Sequence, residues 1–166
     1  MSVANISLII PIYLRQRAVI NTLMALDEQF DKDFEVIVID QSPNIDYELR
    51  DFKFNQIKYK YINIDQIGLP NARNYGSEKA CGDILIFIDD DSIPDKNLVA
   101  SYKKLFQSLG QNILIGGRVI EKGTNIFKEG KNTVGGWITW YGKTLKNFDT
   151  NTSGECEWAA GGNFAV

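Results

Sequence analysis

Asp89, Asp90 and Asp91 are three successive carboxylates, and they are the residues of this chain best suited to chemistry. They follow directly on the apolar run Ile84 to Ile88. Carboxylates this close repel one another, and a cation among them relieves the repulsion. Mg²⁺ or Mn²⁺ suits such an all-oxygen site, bound by one or two carboxylates together with substrate phosphates. The alternative is a solvated turn in which Asp91 or Ser92 caps the helix that follows. Three acidic residues in a row exceed what a cap needs.

Five further places could do chemistry. Asp40 closes the run Phe34 to Ile39 and could accept hydrogen bonds from a base N–H or a ribose hydroxyl. Gln41, Ser42, Pro43 and Asn44 follow it, so an Asx-type turn is the competing reading. In the segment Gly68 to Gly76, Gly68 and Pro70 mark a loop entering a helix. Arg73 falls near its first turn, where it could meet a phosphate or stack beside a base. It could equally be a surface arginine paired with a neighbouring carboxylate. Pro11 stops the first ladder, and Tyr13 could flank a ligand base. Arg15 and Arg17 could meet phosphate or form a solvated face. Trp137, Trp140 and Tyr141 could stack on a sugar ring or pack in a core.

Other chemistries are excluded. The chain has no histidine, which rules out a Ser-His-Asp triad, a Cys-His dyad and His-ligated zinc. Acid–base work falls to carboxylates, Lys, Tyr or substrate groups. Eighteen Lys and Arg against 21 Asp and Glu give a net charge of −3, which is not the footprint of a nucleic-acid binder. Cys81 and Cys156 form no disulfide framework, and a reduced, cytoplasmic setting is expected. Cys81 reads as a core residue. No apolar run approaches the roughly 20 residues of a membrane span, and the start lacks the pattern of a signal peptide.

The elements that must position these residues are legible in outline. The chain has 166 residues, 44% of them hydrophobic and 23% charged, which suits one globular domain or part of a larger one. Ile6 to Tyr13, Phe34 to Ile39 and Ile84 to Ile88 are unbroken apolar runs rich in Ile and Val. Such runs read as parallel strands buried on both faces. Ile57 to Ile64 alternates more and reads as an edge strand, and Ile113 to Ile120 as a fifth strand. Val19, Leu23, Leu26 and Phe30 fall on one helical face. So do Leu98, Tyr102, Leu105, Phe106 and Leu109, with Pro94 and Asp95 as start signals. Pro70 to Ala80 reads as a weaker helix containing Gly76, and Ile45 to Phe52 as another. The order implies a doubly wound α/β sheet, and ligands of such sheets bind at the carboxyl edge of the strands. From Gly123 to Gly154 the texture is loop-like, with room for one short strand or helix. The apolar end at Val166 reads as a cut within a larger domain.

Taken in order, these segments resemble the inverting glycosyltransferases of family 2, which have the GT-A fold. That fold is a Rossmann-like, mostly parallel central sheet flanked by helices on both faces. The resemblance runs from about Ser7 to Val166 and rests on four segments. Leu8-Ile9-Ile10-Pro11-Ile12-Tyr13 looks like the family's opening strand. Val36-Ile37-Val38-Ile39-Asp40 looks like its second strand, which ends in a nucleotide-binding Asp. Gly68 to Gly76 is similar to its Gly-x-x-x-Ala-Arg-Asn segment. Ile86-Phe87-Ile88-Asp89-Asp90-Asp91 is similar to its Asp-x-Asp motif, and the late Gly161-Gly162-Asn163 also fits.

The resemblance implies roles. Pro11 and Tyr13 border the base, which Asp40 binds as uracil, with Arg73 beside it. Asp89 and Asp90 approach the ribose and the metal shell. Asp91, with Asp89, holds Mn²⁺ or Mg²⁺ against the diphosphate. The implied activity moves a sugar from a nucleotide-diphosphate donor, UDP being the expected nucleotide, to a hydroxyl of a saccharide or lipid-linked saccharide acceptor. The implied setting is bacterial surface polysaccharide synthesis at the cytoplasmic face of the membrane, with membrane association through downstream sequence. The family's general base follows the Gly-Gly-Asn segment, so it is expected beyond Val166, Glu155 and Glu157 being poorly placed. On this reading residues 1–122 bind the nucleotide-sugar and 123–166 begin the acceptor side. Leu14 stands where the family often has Asn, and Asp40-Gln41-Ser42-Pro43 where it often has Asp-Asp-Gly-Ser. A sugar nucleotidyltransferase would want a glycine-rich loop after the first strand, and Leu14-Arg15-Gln16-Arg17 has no glycine. A dinucleotide-binding enzyme would need Gly-x-Gly-x-x-Gly there. A phospho-receiver domain would carry its acidic pair after the first strand. A GT-A-like domain that binds nucleotide without transferring sugar stays open as the alternative.

Overall fold

A computed structural model describes residues 5–110, 112–121 and 134–166. Four parallel strands form its centre: β1 (Ile6–Ile12), β2 (Phe34–Asp40), β3 (Lys58–Asn63) and β4 (Ile84–Ile88). Two short strands, β5 (Ile115–Gly116) and β8 (Asn163–Ala165), extend the sheet beyond β4 in the order β3-β2-β1-β4-β8-β5. β8 runs antiparallel to both neighbours. β6 (Gly135–Ile138) and β7 (Thr144–Asn147) make a separate antiparallel hairpin.

The apolar runs become strands because both of their faces are covered. Ile6, Leu8, Ile10 and Ile12 of β1, with Val36, Val38, Ile86 and Ile88, point to one face. There they meet Val19, Leu23 and Leu26 of α1 (Gln16–Asp27) and Val99, Tyr102 and Phe106 of α4 (Leu98–Leu109). Ile9, Ile37, Ile39 and Phe87 point to the other face, against Ala72 of α3 (Leu69–Lys79). Each fully buried side chain of this size contributes about 1.5–3 kcal/mol. Gly76 lies where α3 presses hardest on the sheet: a Cβ there would come within 2.6 Å of Ile9 Cγ2. The glycine that weakens the helix in isolation thus permits its packing.

The expected mostly parallel sheet with helices on both faces is present, and β3 is its edge strand as read. Several details differ. Pro11 does not stop the ladder: β1 continues through it, pairing Pro11 with Ile39 and Ile12 with Asp40. α1 ends at Asp27, so Phe30 leaves the helical face and is largely exposed. The helix expected over Ile45 to Phe52 is a single turn, α2 (Tyr47–Arg50), capped by Asp46. α4 starts at Leu98, three residues after Asp95. The strand expected over Ile113 to Ile120 shrinks to Ile115–Gly116, because among the described residues only the short β8 pairs with it. Cys81 is exposed rather than in the core, since it sits in the turn before β4. The loop-like stretch beginning at Gly123 lies outside the described residues up to 133. From 134 onward it forms the β6–β7 hairpin, where one short element was expected.

Candidate functional site

The parallel strands all end on one edge, and a cleft of about 420 Å³ opens there. Its wall carries Pro11, Ile12 and Tyr13 from the end of β1, and Gln41 just past β2. Arg15, Ile67, Gly68, Leu69 and the three aspartates Asp89–Asp91 complete it. The parallel topology makes this convergence unavoidable, since the carboxyl ends of β1, β2 and β4 are neighbours.

The three aspartates diverge. Asp89 is half exposed and has Oδ1 3.7 Å from Arg73 Nη2. Asp90 is buried and meets Arg15 Nη1 at 3.0 Å. Burial pushes the Asp90 carboxyl above its usual range, and Arg15 works against that shift. Asp91 faces the cleft mouth and pairs with Arg15 Nη2 at 2.7 Å. The Asp91 hydrogen bond first, and the charges of Asp90 and Asp91 after it, hold the Arg15 guanidinium above its ordinary value. Thr22 of α1 anchors the loop from behind, its hydroxyl lying 2.8 Å from the carbonyls of both Asp90 and Ser92. Asp91 and Ser92 therefore do not cap α4, whose start is six residues further on.

Arg73 is mostly buried beneath β8. Its Nη2 donates to the Gly161 carbonyl at 2.8 Å, and its guanidinium lies 5.3 Å from the centre of the Phe164 ring. Burial pushes its pKa down, against the charge of Asp89. Its Nε is buried without a protein partner. Gly161 and Gly162 let β8 approach: a Cβ on Gly162 would lie 2.6 Å from Asp89 Oδ2. Asn163 then locks the approach, accepting from Tyr102 Oη and donating to the Arg118 carbonyl.

Asp40 is placed otherwise than a free acceptor. It is 0% exposed. Oδ1 accepts from Ser42 N–H at 2.8 Å, which is the Asx turn, and Oδ2 accepts from Tyr61 Oη at 2.6 Å. Burial, and then the Asp40 hydrogen bond, push Tyr61 up to about 12. Asp40 thus holds one wall of the cleft from within, while Gln41 lines the cleft. Gln41 Oε1 accepts from Gly68 N–H at 2.6 Å, tying β2 to the start of α3. Gly68 has φ +133, a conformation that favours glycine. The structure brings Pro11, Tyr13, Asp89, Asp90 and Asp91 to one cleft, with Arg73 behind Asp89 and Asp40 behind Gln41. Thr22, Gln41 and Tyr61 were not singled out in the sequence. Their only signal was a polar residue inside an apolar run or next to a motif. Arg17 is not among the cleft residues. Trp140 is 96% exposed at the hairpin turn, so the core reading fails for it, whereas Trp137 is half-buried and donates to the Val134 carbonyl.

Among the described residues no group of three or more acidic or Cys side chains converges to hold an ion. Asp89 and Asp91 nevertheless present hard oxygens to the cleft. That donor set fits a divalent cation that takes most of its ligands from water and phosphate. No helix among the described residues is long and apolar enough to cross a membrane.

Comparison with known proteins agrees with this architecture. The chain is 34% identical over 115 residues to an uncharacterized glycosyltransferase, YfnE, of Bacillus subtilis, covering 67% of this chain and 29% of that protein. It is 28% identical over 131 residues to the Campylobacter jejuni GalNAc(5)-diNAcBac-PP-undecaprenol beta-1,3-glucosyltransferase, covering 75% and 41%. The matched region therefore covers less than half the length of each of these relatives. The crystal structure of Staphylococcus aureus TarS 1–349 superposes with a TM-score of 0.64 at 21% identity, covering 75% of this chain and 40% of that one. The mannosyltransferase PcManGT from Pyrobaculum calidifontis, in complex with GDP-Man and Mn²⁺, gives 0.55 at 22% identity, covering 61% and 32%. These likenesses establish the GT-A fold. The family model described as "Glycosyl transferase family 2" matches residues 7–166, nearly the whole chain, and the protein belongs to that family.

Proposed function

We propose that this chain forms the donor-binding part of an inverting glycosyltransferase that uses a nucleotide-diphosphate sugar, with UDP as the nucleotide. The observation that carries the reading is the acidic loop Asp89–Asp91 at the carboxyl end of β4, faced by Arg15 and backed by Arg73. Pro11 and Tyr13 flank the base. Gln41, held against Gly68, closes the base end, and the buried Asp40 keeps that wall in place. Arg15 stands within the cleft to meet diphosphate oxygens.

Mn²⁺ or Mg²⁺, when bound, neutralises the charge that builds on the diphosphate as the glycosidic bond breaks. Asp91 and Asp89 are the residues that would hold it. The acceptor hydroxyl gives its proton to a carboxylate and attacks from the opposite face, which produces inversion. Glu157 is poorly suited to that role, because it already accepts from Ile138 N–H at 2.5 Å. The UDP and UDP-GlcNAc complexes of TarS support the choice of nucleotide. The undecaprenol-linked substrate in the name of the Campylobacter relative supports a saccharide or lipid-linked acceptor, and with it surface polysaccharide synthesis at the cytoplasmic face of the membrane. Residues 1–122 serve the donor together with β8, which returns to the central sheet, and the stretch from 123 up to β8 begins the acceptor side.

The test is a thermal-shift panel of UDP, GDP, CDP and ADP, each with and without Mn²⁺. A ligand at about 100 times its dissociation constant adds roughly 2.7 kcal/mol, which is several degrees for a chain of this size. UDP with Mn²⁺ is expected to give the largest shift, and Asp91→Ala to abolish the Mn²⁺-dependent part while still folding. Equal shifts for all four nucleotides, or an Asp91→Ala shift equal to wild type, would overturn the assignment.

A further inference from the structure

Arg15 sits where a divalent cation is wanted. Its two terminal nitrogens fork across successive carboxylates, Nη1 to Asp90 at 3.0 Å and Nη2 to Asp91 at 2.7 Å. The two partners differ in kind. The Asp90 side chain is only 8% exposed, so its pairing with Arg15 is shielded from water, whereas Asp91 is 56% exposed and water can replace its partner. Arg15 is itself half exposed. It precedes the first residue of α1 with non-helical backbone angles and no side-chain cap, so the helix does not lock its side chain. A guanidinium can therefore leave Asp91 while staying near Asp90.

We propose that Arg15 is a displaceable counter-cation that makes uptake of the divalent ion depend on the nucleoside diphosphate. Before the nucleotide binds, Arg15 holds Asp91 and keeps the ion's affinity low, because two cations on one carboxylate repel. The arriving diphosphate supplies the negative charge that draws the guanidinium off Asp91, and that carboxylate then turns to the ion. The loss of one pairing is matched by the gain of two: guanidinium with phosphate oxygen, and carboxylate with metal. Arg15 acts here as a positioning residue toward Asp91. The inference rests on the reading of the cleft as a nucleoside-diphosphate site.

Mn²⁺ binding, followed by the loss of the free-ion electron paramagnetic resonance signal, tests it without measuring sugar transfer. Titrations are run with and without UDP on wild type, Arg15→Met and Arg15→Lys, after melting curves confirm that each is folded. In wild type, UDP is expected to tighten Mn²⁺ binding. In Arg15→Met, Mn²⁺ alone is expected to bind about 5-fold tighter or more, with the UDP–Mn²⁺ coupling reduced by a comparable factor. Arg15→Lys, which can pair one carboxylate but not fork both, is expected between the two and serves if Arg15→Met does not fold. Mn²⁺ affinity and coupling unchanged in the folded variants would overturn the inference while leaving the nucleotide site intact. A wild type that takes up no Mn²⁺ even with UDP would overturn the site reading, and this inference with it.

Discussion

Leu14 links the two sides of the cleft mouth and does so at a conformational cost. Its φ is +54, in the left-handed region. An L-residue there costs roughly 1–2 kcal/mol, while Asn tolerates it through its short polar side chain. The strain is held in place because Leu14 N–H donates to Ser42 Oγ at 2.9 Å, fixing the chain between Tyr13 and Arg15. Leu14→Asn is expected to raise stability by about 1 kcal/mol, seen as a rise in melting temperature of roughly 2–4 °C. An unchanged or lower melting temperature would show that the backbone there is unstrained. The position was visible in the sequence as a departure from the family's Asn, but its meaning was not, since residue type alone does not report φ. The same gap separates Asp89–Asp91 from Arg15. Three adjacent carboxylates announce themselves, whereas an arginine 74 or more positions away becomes their partner only through the β1–β4 pairing. Asp40 shows the reverse: its place at the strand end was legible, but its burial under Tyr61 depends on a strand paired later in the chain.

The opposite edge of the sheet is held by a buried polar network, and Glu35 of β2 is its centre. Its Oε1 accepts from Ser7 Oγ at 2.6 Å and Cys81 N–H at 2.7 Å, and its Oε2 pairs with Lys60 Nζ at 2.9 Å. Ser7 Oγ in turn accepts from Gly82 N–H. Three strands and the turn into β4 are thus tied at one carboxylate. Burial alone would raise the Glu35 pKa, but hydrogen bonds from Ser7, Lys60 and Cys81 together hold it below its ordinary value. A depressed carboxyl stabilises the fold above its unfolded pKa, near 4.3, and that stability is lost as pH falls through the lower folded value. Glu35→Gln is therefore expected to cost about 1–3 kcal/mol at pH 7, with the gap from wild type closing below about pH 4. Denaturant unfolding at pH 7, 5 and 3 measures it, and a gap constant across that range would remove the carboxylate from its assigned role. Periodicity revealed β1, β2, β4 and α4, because each is long and apolar on the faces it buries. It passed over Glu35 inside β2, where one polar residue scarcely alters an apolar run. It overran β5, reading Ile113 to Ile120 where two residues pair, and it could not reveal β8, whose three residues carry no period and which exists only through its partners.

The whole molecule is closed by its last described strand. β8 pairs Asn163, Phe164 and Ala165 with Ile88, Phe87 and Ile86 of β4, and Val166 exchanges both backbone hydrogen bonds with Leu85. Phe164 stacks on Phe87 at 4.8 Å, and among the described residues β5 has no sheet partner except β8. The same strand delivers Gly161 to Arg73 and Gly162 to Asp89, so sheet closure and the cleft's rear wall are one structural event. Two variants separate these roles. Deleting residues 158–166 strips the partner from β4 and β5 and leaves an unpaired apolar edge, which favours aggregation. A fall in melting temperature of several degrees or more is expected, together with loss of the Mn²⁺-dependent UDP shift. Gly162→Ala instead leaves the ladder intact, but its new Cβ would lie 2.6 Å from Asp89 Oδ2 and must turn that carboxylate away. Its melting temperature is expected to stay within about 2–4 °C of wild type, while the Mn²⁺-dependent shift shrinks. A deletion variant that melts like wild type would mean that β4 needs no partner there. A Gly162→Ala protein with the full ligand shift would mean that Asp89 has room to move without consequence for the site.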